Sequence, residues 1–190
     1  MQLTDRYRRA LEFAFELHRE QERSGSGVPY FAHLIGVSSL VLEAGADEDV
    51  AIAALLHDAA EDQGGTSTLE RIEQDFGAKV ADIVRACTDA VETPRPPWRE
   101  RKIRYVEHLK LASPEAQLVA ASDKLYNLRT IVADYRSIGE ALWSRFSGGR
   151  AGVIWYYGAL VEAFTISHGV VAELRRTLAQ LETLLTPGSE

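Results

Sequence analysis

The stretch ALLHDAAED, from Ala54 to Asp62, decides which fold and which chemistry the sequence predicts. Residues Ala51–Leu56 are apolar on every side of a helix, which is typical of a buried helix. A histidine and three carboxylates follow at once. Carboxylates grouped in apolar surroundings repel one another and lose hydration, which costs several kcal/mol per ion unless a cation compensates. A divalent metal ion would supply that positive charge.

If the helix continues through this stretch, its polar side chains lie on one side of the helix and can bind a single ion. At about 100° per residue they lie within an arc of roughly 140°. They are His57, Asp58, Glu61 and Asp62. The alternative is a helix end that has reached the surface, with solvated acids before the turn at Gly64 and Gly65. The apolar run that leads directly into the histidine favours the metal site.

Two residues elsewhere in the chain strengthen the metal interpretation. His33 lies at the start of an apolar helix, and Asp123 lies within the apolar segment LVAASDKLYNL. Each alone is typical of a satisfied core histidine or a helix cap. Two histidines and two aspartates together, all in apolar surroundings, form a mixed nitrogen and oxygen set that suits a first-row divalent metal. Four protein ligands leave positions on a six-coordinate ion open for water and substrate.

Helical periodicity dominates the 190 residues and predicts a single, irregular all-α domain spanning 1–190. Glycine and proline mark most of the predicted breaks. The predicted helices are one capped by Thr4 that ends before Gly25–Gly27, His33–Ala44, one capped by Asp47 that runs into the quoted stretch, Thr68–Phe76, Ala78–Val91, Arg99–Leu111, one opened by Ser113 and Pro114, Ser137–Phe146, and one or two within Arg150–Leu185.

Composition narrows the classes of function. The net charge of −7 argues against broad binding to nucleic acid or to a membrane surface. Cys87 is the single cysteine, so no disulfide can form within the chain. No apolar run reaches the roughly 18 residues that a transmembrane helix needs, and the N-terminal segment does not resemble a signal peptide. These features predict a cytoplasmic protein.

Sequence motifs around these residues resemble a known family. The pattern H…HD…D, formed by His33, His57–Asp58 and Asp123, resembles the HD metal-dependent phosphohydrolase superfamily. The segments HREQERSGSGVPYFAHLIGV, AALLHDAAED and ASDKLYNLRT resemble motifs of the hydrolase domain in RelA/SpoT-homologue alarmone enzymes. The resemblance covers about Leu11–Tyr135, and the layout is similar to the stand-alone small alarmone hydrolases. Residues 136–190 are expected to add helices that complete the core.

The resemblance implies removal of the 3′-pyrophosphate from (p)ppGpp, with Mn²⁺ as cofactor and a phosphorylated nucleotide as the small-molecule substrate. It implies metal ligation by His33, His57, Asp58 and Asp123. It implies that Glu61 and Asp62 position and deprotonate the attacking water. It implies substrate contacts by Arg23, Asn127 and Thr130, and it leaves Lys124 either to neutralise a pyrophosphate or to pair with an acid of the cluster.

Several alternatives stay open at this point. Ser24 replaces the basic residue that usually follows the arginine, and Leu34 replaces a proline. The substrate could therefore be another phosphorylated nucleotide, such as a nicotinamide dinucleotide phosphate, and a non-catalytic nucleotide sensor is a further alternative. The segment Trp98–Lys102 is either a phosphate-binding segment or a solvated helix start. The aromatic residues Trp155–Tyr157 predict core packing, with purine stacking as the less favoured reading.

Overall fold

The computed structural model describes residues 2–89 and 96–186. These residues form helices and no strand, so the prediction of an all-α fold is confirmed. Within the same residues, no helix is both long enough and apolar enough to cross a bilayer. The helices are α1 (Asp5–His18), α2 (Tyr30–Glu43), α3 (Glu48–Leu56), α4 (Ala59–Asp62), α5 (Thr66–Phe76), α6 (Ala78–Cys87), α7 (Trp98–Leu111), α8 (Pro114–Ile138), a 3₁₀ helix (Gly139–Arg145), α9 (Gly149–Ala163) and α10 (Gly169–Leu185).

Three helices begin at the caps that the sequence predicts. The side chain of Thr4 accepts a hydrogen bond from the backbone N–H of Arg6, and the side chain of Asp47 accepts one from Val50. Ser113 caps α8, with a proline in the first turn. A capping oxygen satisfies a backbone donor that has no partner inside the helix, which is worth about 1 kcal/mol.

Helices α3 and α8 form the centre of the core. Every residue from Val50 to Leu56 is at most 2% exposed. Helix α3 packs against α1, α2, α6 and α8, and α8 in turn packs against α2, α6 and α10. The C-terminal end of α3 and the middle of α8 therefore meet in the interior, which is where the polar residues of the candidate site lie.

The largest departure from prediction is a break directly after Leu56. Helix α3 ends there, and the short helix α4 starts only at Ala59. The ring of His57 hydrogen-bonds to the carbonyl of Ala54, one of the last α3 carbonyls, which lack helical partners. The prediction that one unbroken helix runs through the quoted stretch is wrong.

Other boundaries also differ from prediction. Helix α2 begins at Tyr30 instead of His33, because the proline before it sets the start. Helix α8 continues to Ile138, so the predicted helix Ser137–Phe146 is instead the last turn of α8 followed by the 3₁₀ helix. The C-terminal segment forms two helices. Helix α6 ends at Cys87, and its predicted end at Val91 lies outside the described residues.

Gly36 allows α2 and α8 to approach closely. A Cβ atom at Gly36 would lie 2.0 Å from Cε2 of Tyr126, whose ring packs edge-on against His33. We expect Gly36→Ala to lower the free energy of unfolding by about 1–3 kcal/mol, the usual cost of overpacking. Denaturant unfolding measures this change. Gly158→Ala is the control, because a Cβ there meets nothing within 4 Å; equal stability of the two variants would contradict the packing argument.

Candidate active site

Four side chains from three parts of the chain converge in the core. His33 projects from α2, His57 and Asp58 follow α3, and Asp123 lies in the middle of α8. The two Nε2 atoms are 3.3 Å apart. Asp58 Oδ2 lies 3.0 Å from Nε2 of His57, and Asp123 Oδ1 lies 3.3 Å from Nε2 of His33. The structure thus brings together the four residues that the sequence predicts as metal ligands.

The hydrogen bond of His57 fixes which nitrogen faces the cluster. Its Nδ1 lies 2.8 Å from the carbonyl oxygen of Ala54. A carbonyl only accepts, so Nδ1 carries a proton, and in the neutral form of the ring the lone pair lies on Nε2. This arrangement, in which one ring nitrogen is anchored to a backbone acceptor, is the usual one for a metal-binding histidine.

Both aspartates of the cluster are held ionised. Burial opposes the charge of Asp58 most strongly, but the attraction of His57 and the hydrogen bonds from His33 and His57 together outweigh it and hold the pKa of that carboxyl well below its usual range. Burial likewise opposes the charge of Asp123, but Lys124, His33 and His57 together outweigh it, so the pKa of Asp123 is also well below its usual range. Ionised carboxylates beside imidazole nitrogens form a donor set that fits a first-row divalent metal, and the ligand atoms of His33, His57 and Asp58 lie within 4.8 Å of one another.

Neighbouring side chains hold these carboxylates in place. Tyr30 donates its hydroxyl hydrogen to Asp58 Oδ2 at 2.5 Å. Lys124 Nζ donates to Asp123 Oδ2 at 2.5 Å, and Asn127 Nδ2 donates to Asp123 Oδ1 at 2.6 Å. Lys124 therefore pairs with an acid of the cluster, which was one of the two alternatives for this residue. The role of Tyr30 was missed, although its position one helical turn before the metal-site histidine is a usable signal.

The two remaining acids of the quoted stretch, Glu61 and Asp62, are consecutive residues of α4 and contact different partners. Glu61 is half-buried, and its carboxylate accepts a hydrogen bond from the backbone N–H of Asp89 at 3.2 Å. Asp62 is exposed, and its Oδ2 accepts a hydrogen bond from Gln21 Nε2 at 2.7 Å. The two carboxylates thus contact different segments instead of sharing one face of a long helix.

Gln21 links Asp62 to two other side chains. Its Oε1 lies 2.7 Å from Nδ1 of His18 and accepts a hydrogen bond from Nε2 of Gln63 at 2.9 Å. Reversing the Gln21 amide would bring two NH₂ groups together and set an oxygen against the Asp62 carboxylate, so the orientation is determined. His18 therefore connects to Asp62 through Gln21.

Glu61 lies in a charged environment that sequence reasoning missed. Burial raises its pKa, and the charges of Asp58 and Asp89 raise it further. Asp89 itself pairs with Arg101 and, at 2.8 Å, with Lys102. No sequence pattern marks Asp89, since it follows α6 in extended backbone and meets its partners only through tertiary contact.

A cleft of about 370 Å³ opens beside the cluster. Its walls include every residue that the sequence predicts to bind substrate, namely Arg23, Lys124, Asn127 and Thr130. Arg23 donates from Nη2 to Asn127 Oδ1 at 2.7 Å, so a chain of hydrogen bonds runs from Arg23 through Asn127 to Asp123. The residues that line the cleft therefore connect it to the carboxylate of Asp123 in the cluster.

The segment Trp98–Lys102 and the C-terminal third also contribute to the cleft. Trp98 and Lys102 line it, whereas Arg99 lies over the ring of Trp155 and Arg101 pairs with Asp89. The C-terminal third adds lining residues to the cleft, namely Leu142, Arg145, Phe146, Ser147, Val153, Tyr156 and Tyr157. Tyr156 and Tyr157 are buried, as the core-packing prediction requires, and they also form part of the cleft wall.

The cleft is electropositive in an acidic protein. Among the described residues that line it, four carry a positive charge and one, Asp134, carries a negative charge. The chain as a whole has a net charge of −7. A concave site whose lining charges are mostly of one sign attracts ligands of the other sign, so the lining of this cleft favours an anionic ligand.

Comparisons with known proteins find similar chains that are named as hydrolases. It is 43% identical over 124 residues to the zebrafish (Danio rerio) protein guanosine-3′,5′-bis(diphosphate) 3′-pyrophosphohydrolase MESH1; the match covers 64% of this chain and 66% of that protein. The human protein of the same name is 43% identical over 125 residues, covering 64% and 67%. A solved structure described as a metazoan ortholog of SpoT that hydrolyzes ppGpp superposes with a TM-score of 0.79 at 29% identity, covering 95% of this chain and 98% of that one.

The match to a known family covers most of the chain. The family model described as HD domain matches residues 10–154, which include the four residues of the cluster and the greater part of the cleft. With the all-α fold and the paired histidines and aspartates, this match shows that the chain belongs to the HD-domain family.

Proposed function

We propose that this protein is a divalent-metal-dependent hydrolase that removes the 3′-pyrophosphate of (p)ppGpp and releases GDP or GTP with pyrophosphate. The observation that carries the proposal is a largely buried cluster of two histidines and two aspartates beside a cation-lined cleft, in a chain similar to named ppGpp pyrophosphohydrolases. The net reaction adds one water across the bond between the ribose 3′-oxygen and the pyrophosphate.

In this proposal, His33, His57, Asp58 and Asp123 hold a Mn²⁺ ion. A bound divalent ion would supply a Lewis acid for the phosphoryl oxygens and would lower the pKa of water. The protein's own part is to keep the donor atoms aligned. Asn127 and Lys124 do so for Asp123, and Tyr30 does so for Asp58.

Glu61 acts as the base that takes the proton of the attacking water. Its raised pKa makes it a stronger base than an ordinary carboxylate, while the N–H of Asp89 holds it in place. Asp62, fixed by Gln21, orients the water from the other side. A non-catalytic sensor has no need of a half-buried acid in this position, which disfavours that alternative.

The cleft holds the nucleotide by charge and stacking. Arg23 neutralises phosphate, and Lys124, which gives one N–H to Asp123, offers its remaining donors to phosphate, since both groups form strong charge-assisted hydrogen bonds with it. Asn127 and Thr130 follow Asp123 on the same face of α8 and contact the nucleoside. The rings of Tyr156 and Tyr157 provide an apolar wall for the base.

The test is a product assay on metal-loaded protein. We expect ppGpp with Mn²⁺ to give GDP and pyrophosphate in equal amounts without orthophosphate, as read by ³¹P NMR and ion-exchange chromatography. Chelator should stop the reaction and added Mn²⁺ should restore it. Release of orthophosphate from a nicotinamide dinucleotide phosphate, with ppGpp left intact, would replace this proposal by the alternative of a different nucleotide substrate.

A further inference from the structure

Arg145 reaches the cleft from outside the part of the chain that carries the sequence motifs. It is the last residue of the 3₁₀ helix, and it lines the cleft together with Ser24 and Ser26 of the loop before α2. Its side chain lies directly on Gly25, where an added Cβ would come within 2.9 Å of Arg145 Cδ and Nε. Gly25 has a φ of +71°, so glycine is favoured there for backbone reasons as well.

The contacts of Arg145 leave its guanidinium suited to an anion. Nη1 lies 3.1 Å from Asp134 Oδ2, and both side chains are partly exposed, at 26% and 34%. A guanidinium has five N–H donors in a planar fork, which matches the oxygens of a phosphate. Asp134 therefore anchors the side chain at the cleft, and further donors can meet a ligand there.

Helix α8 sets the distance between Arg145 and the metal cluster. Asp123, which belongs to the cluster, and Asp134, which anchors Arg145, are eleven positions apart on this one helix. Eleven residues make about three full turns, so both lie on the same face, and the rise is roughly 16 Å. Asn127 and Thr130 occupy the same face between them, and both line the cleft.

The cleft thus has a cation near each end of the α8 face that forms its wall. Lys124 contacts Asp123 at the cluster, and Arg145 contacts Asp134 at the other end. A ligand that fills this cleft carries negative charge at two separated places. A nucleoside with phosphate groups on both sides of its ribose has that charge distribution.

We propose that Arg145 binds the phosphate group at the uncleaved end of the substrate, which is the 5′-diphosphate of guanosine-3′,5′-bis(diphosphate). The inference rests on the proposed function for the identity of the nucleotide. Arg145 then distinguishes nucleotides phosphorylated at both ends from those phosphorylated only at the reacting end, and it acts on binding more than on the chemical step.

Two substrates that differ only at the 5′ end test this role. Wild type, Arg145→Gln and Arg145→Lys are assayed with ppGpp and with guanosine 3′-diphosphate, which lacks the 5′ phosphates. We expect Arg145→Gln to raise KM for ppGpp roughly tenfold to hundredfold, the usual effect of losing a hydrogen bond to a charged group, with kcat changed far less. On guanosine 3′-diphosphate it should match wild type, and Arg145→Lys should lie between the two on ppGpp.

The matched control is Arg129→Gln, which removes a cation from the same region of α8. Arg129 pairs with Glu173 and does not line the cleft, so both substrates should be cleaved as by wild type. Equal losses on both substrates with Arg145→Gln would mean a structural role and would overturn the inference, as would an unchanged KM for ppGpp.

Binding of GDP separates this inference from the proposed function. GDP carries the uncleaved end alone, so calorimetry on metal-loaded protein tests Arg145 without turnover. We expect Arg145→Gln to raise the Kd for GDP by roughly tenfold to hundredfold, as it raises KM for ppGpp. The Kd for guanosine should stay unchanged. A wild type that binds GDP through Arg145 but does not cleave ppGpp would contradict the proposed function only. GDP binding that is insensitive to Arg145→Gln would contradict the inference, whatever the enzyme cleaves.

Discussion

Replacement of Asp123 by alanine is expected to abolish metal binding and to lower kcat/KM at least roughly 10³-fold. Asp123 is buried, and its Oδ1 lies within 3.6 Å of the imidazoles of His33 and His57, so the substitution removes one oxygen donor of the proposed ligand set. Lewis-acid stabilisation of the transition state is worth several kcal/mol, and each 1.36 kcal/mol corresponds to about tenfold in rate. Elemental analysis of protein prepared without chelator measures the loss of metal, and the pyrophosphate assay measures the fall in kcat/KM.

Thermal unfolding gives a second measure of the same site. An ion present at 100 times its Kd stabilises the folded state by about 2.7 kcal/mol, which for a chain of this size raises Tm by roughly 5–10 °C. Wild type should show this rise when Mn²⁺ is added after chelation, and Asp123→Ala should not. His108→Ala is the control, since His108 is exposed on α7. Full metal occupancy in Asp123→Ala would show that the ion lies elsewhere.

The convergence of the four candidate ligands was predictable from the sequence because each lies in an apolar setting. The run Ala51–Leu56 has no polar residue, so whatever follows it starts inside the protein, and Asp123 sits in a segment of the same character. Two buried segments that end in charge must bring those charges together or leave them uncompensated. That argument needs no knowledge of how the helices are arranged. The metal-binding roles of His33, His57, Asp58 and Asp123 stay predictions, as do the catalytic roles of Glu61 and Asp62.

The break after Leu56 was not predictable, because nothing in the sequence marks it. No glycine or proline lies between Leu56 and Gln63, and local periodicity alone favours continuation. At the break, the ring of His57 forms a local hydrogen bond with the carbonyl of Ala54, three residues earlier. Helix α4 then carries Glu61 and Asp62, which contact Asp89 and Gln21 respectively.

The long-range contacts of the cleft were also beyond sequence reasoning. Arg145 contacts Gly25 although the two residues are far apart in the sequence. Asp89 pairs with Lys102 although a proline-rich segment separates them in the sequence. Neither pair has a spacing that a periodic pattern reports. The sequence motifs end near Tyr135, so they predict the wall that α8 contributes and carry no signal for the wall built by the C-terminal third. The assignment of 1–190 to a single domain stays a prediction.

Substitution of Glu61 by glutamine is the sharpest test of the chemistry, because it separates catalysis from metal binding. Glutamine keeps the size of the side chain and an oxygen that can accept the N–H of Asp89, as Glu61 does at 3.2 Å. It removes the group that takes a proton, whose pKa burial and the neighbouring acids raise.

We expect kcat for Glu61→Gln to fall roughly 10²–10⁴-fold, the usual range for general-base catalysis. Metal content should be unchanged and KM only mildly affected, because the base acts mainly in the transition state. Glu70→Gln, an exposed carboxylate of α5, is the matched control and should keep full activity. Near-normal activity of Glu61→Gln would make Glu61 a structural acid, whereas loss of metal together with rate would make it a ligand. Rate and metal content measured on one preparation distinguish the three outcomes.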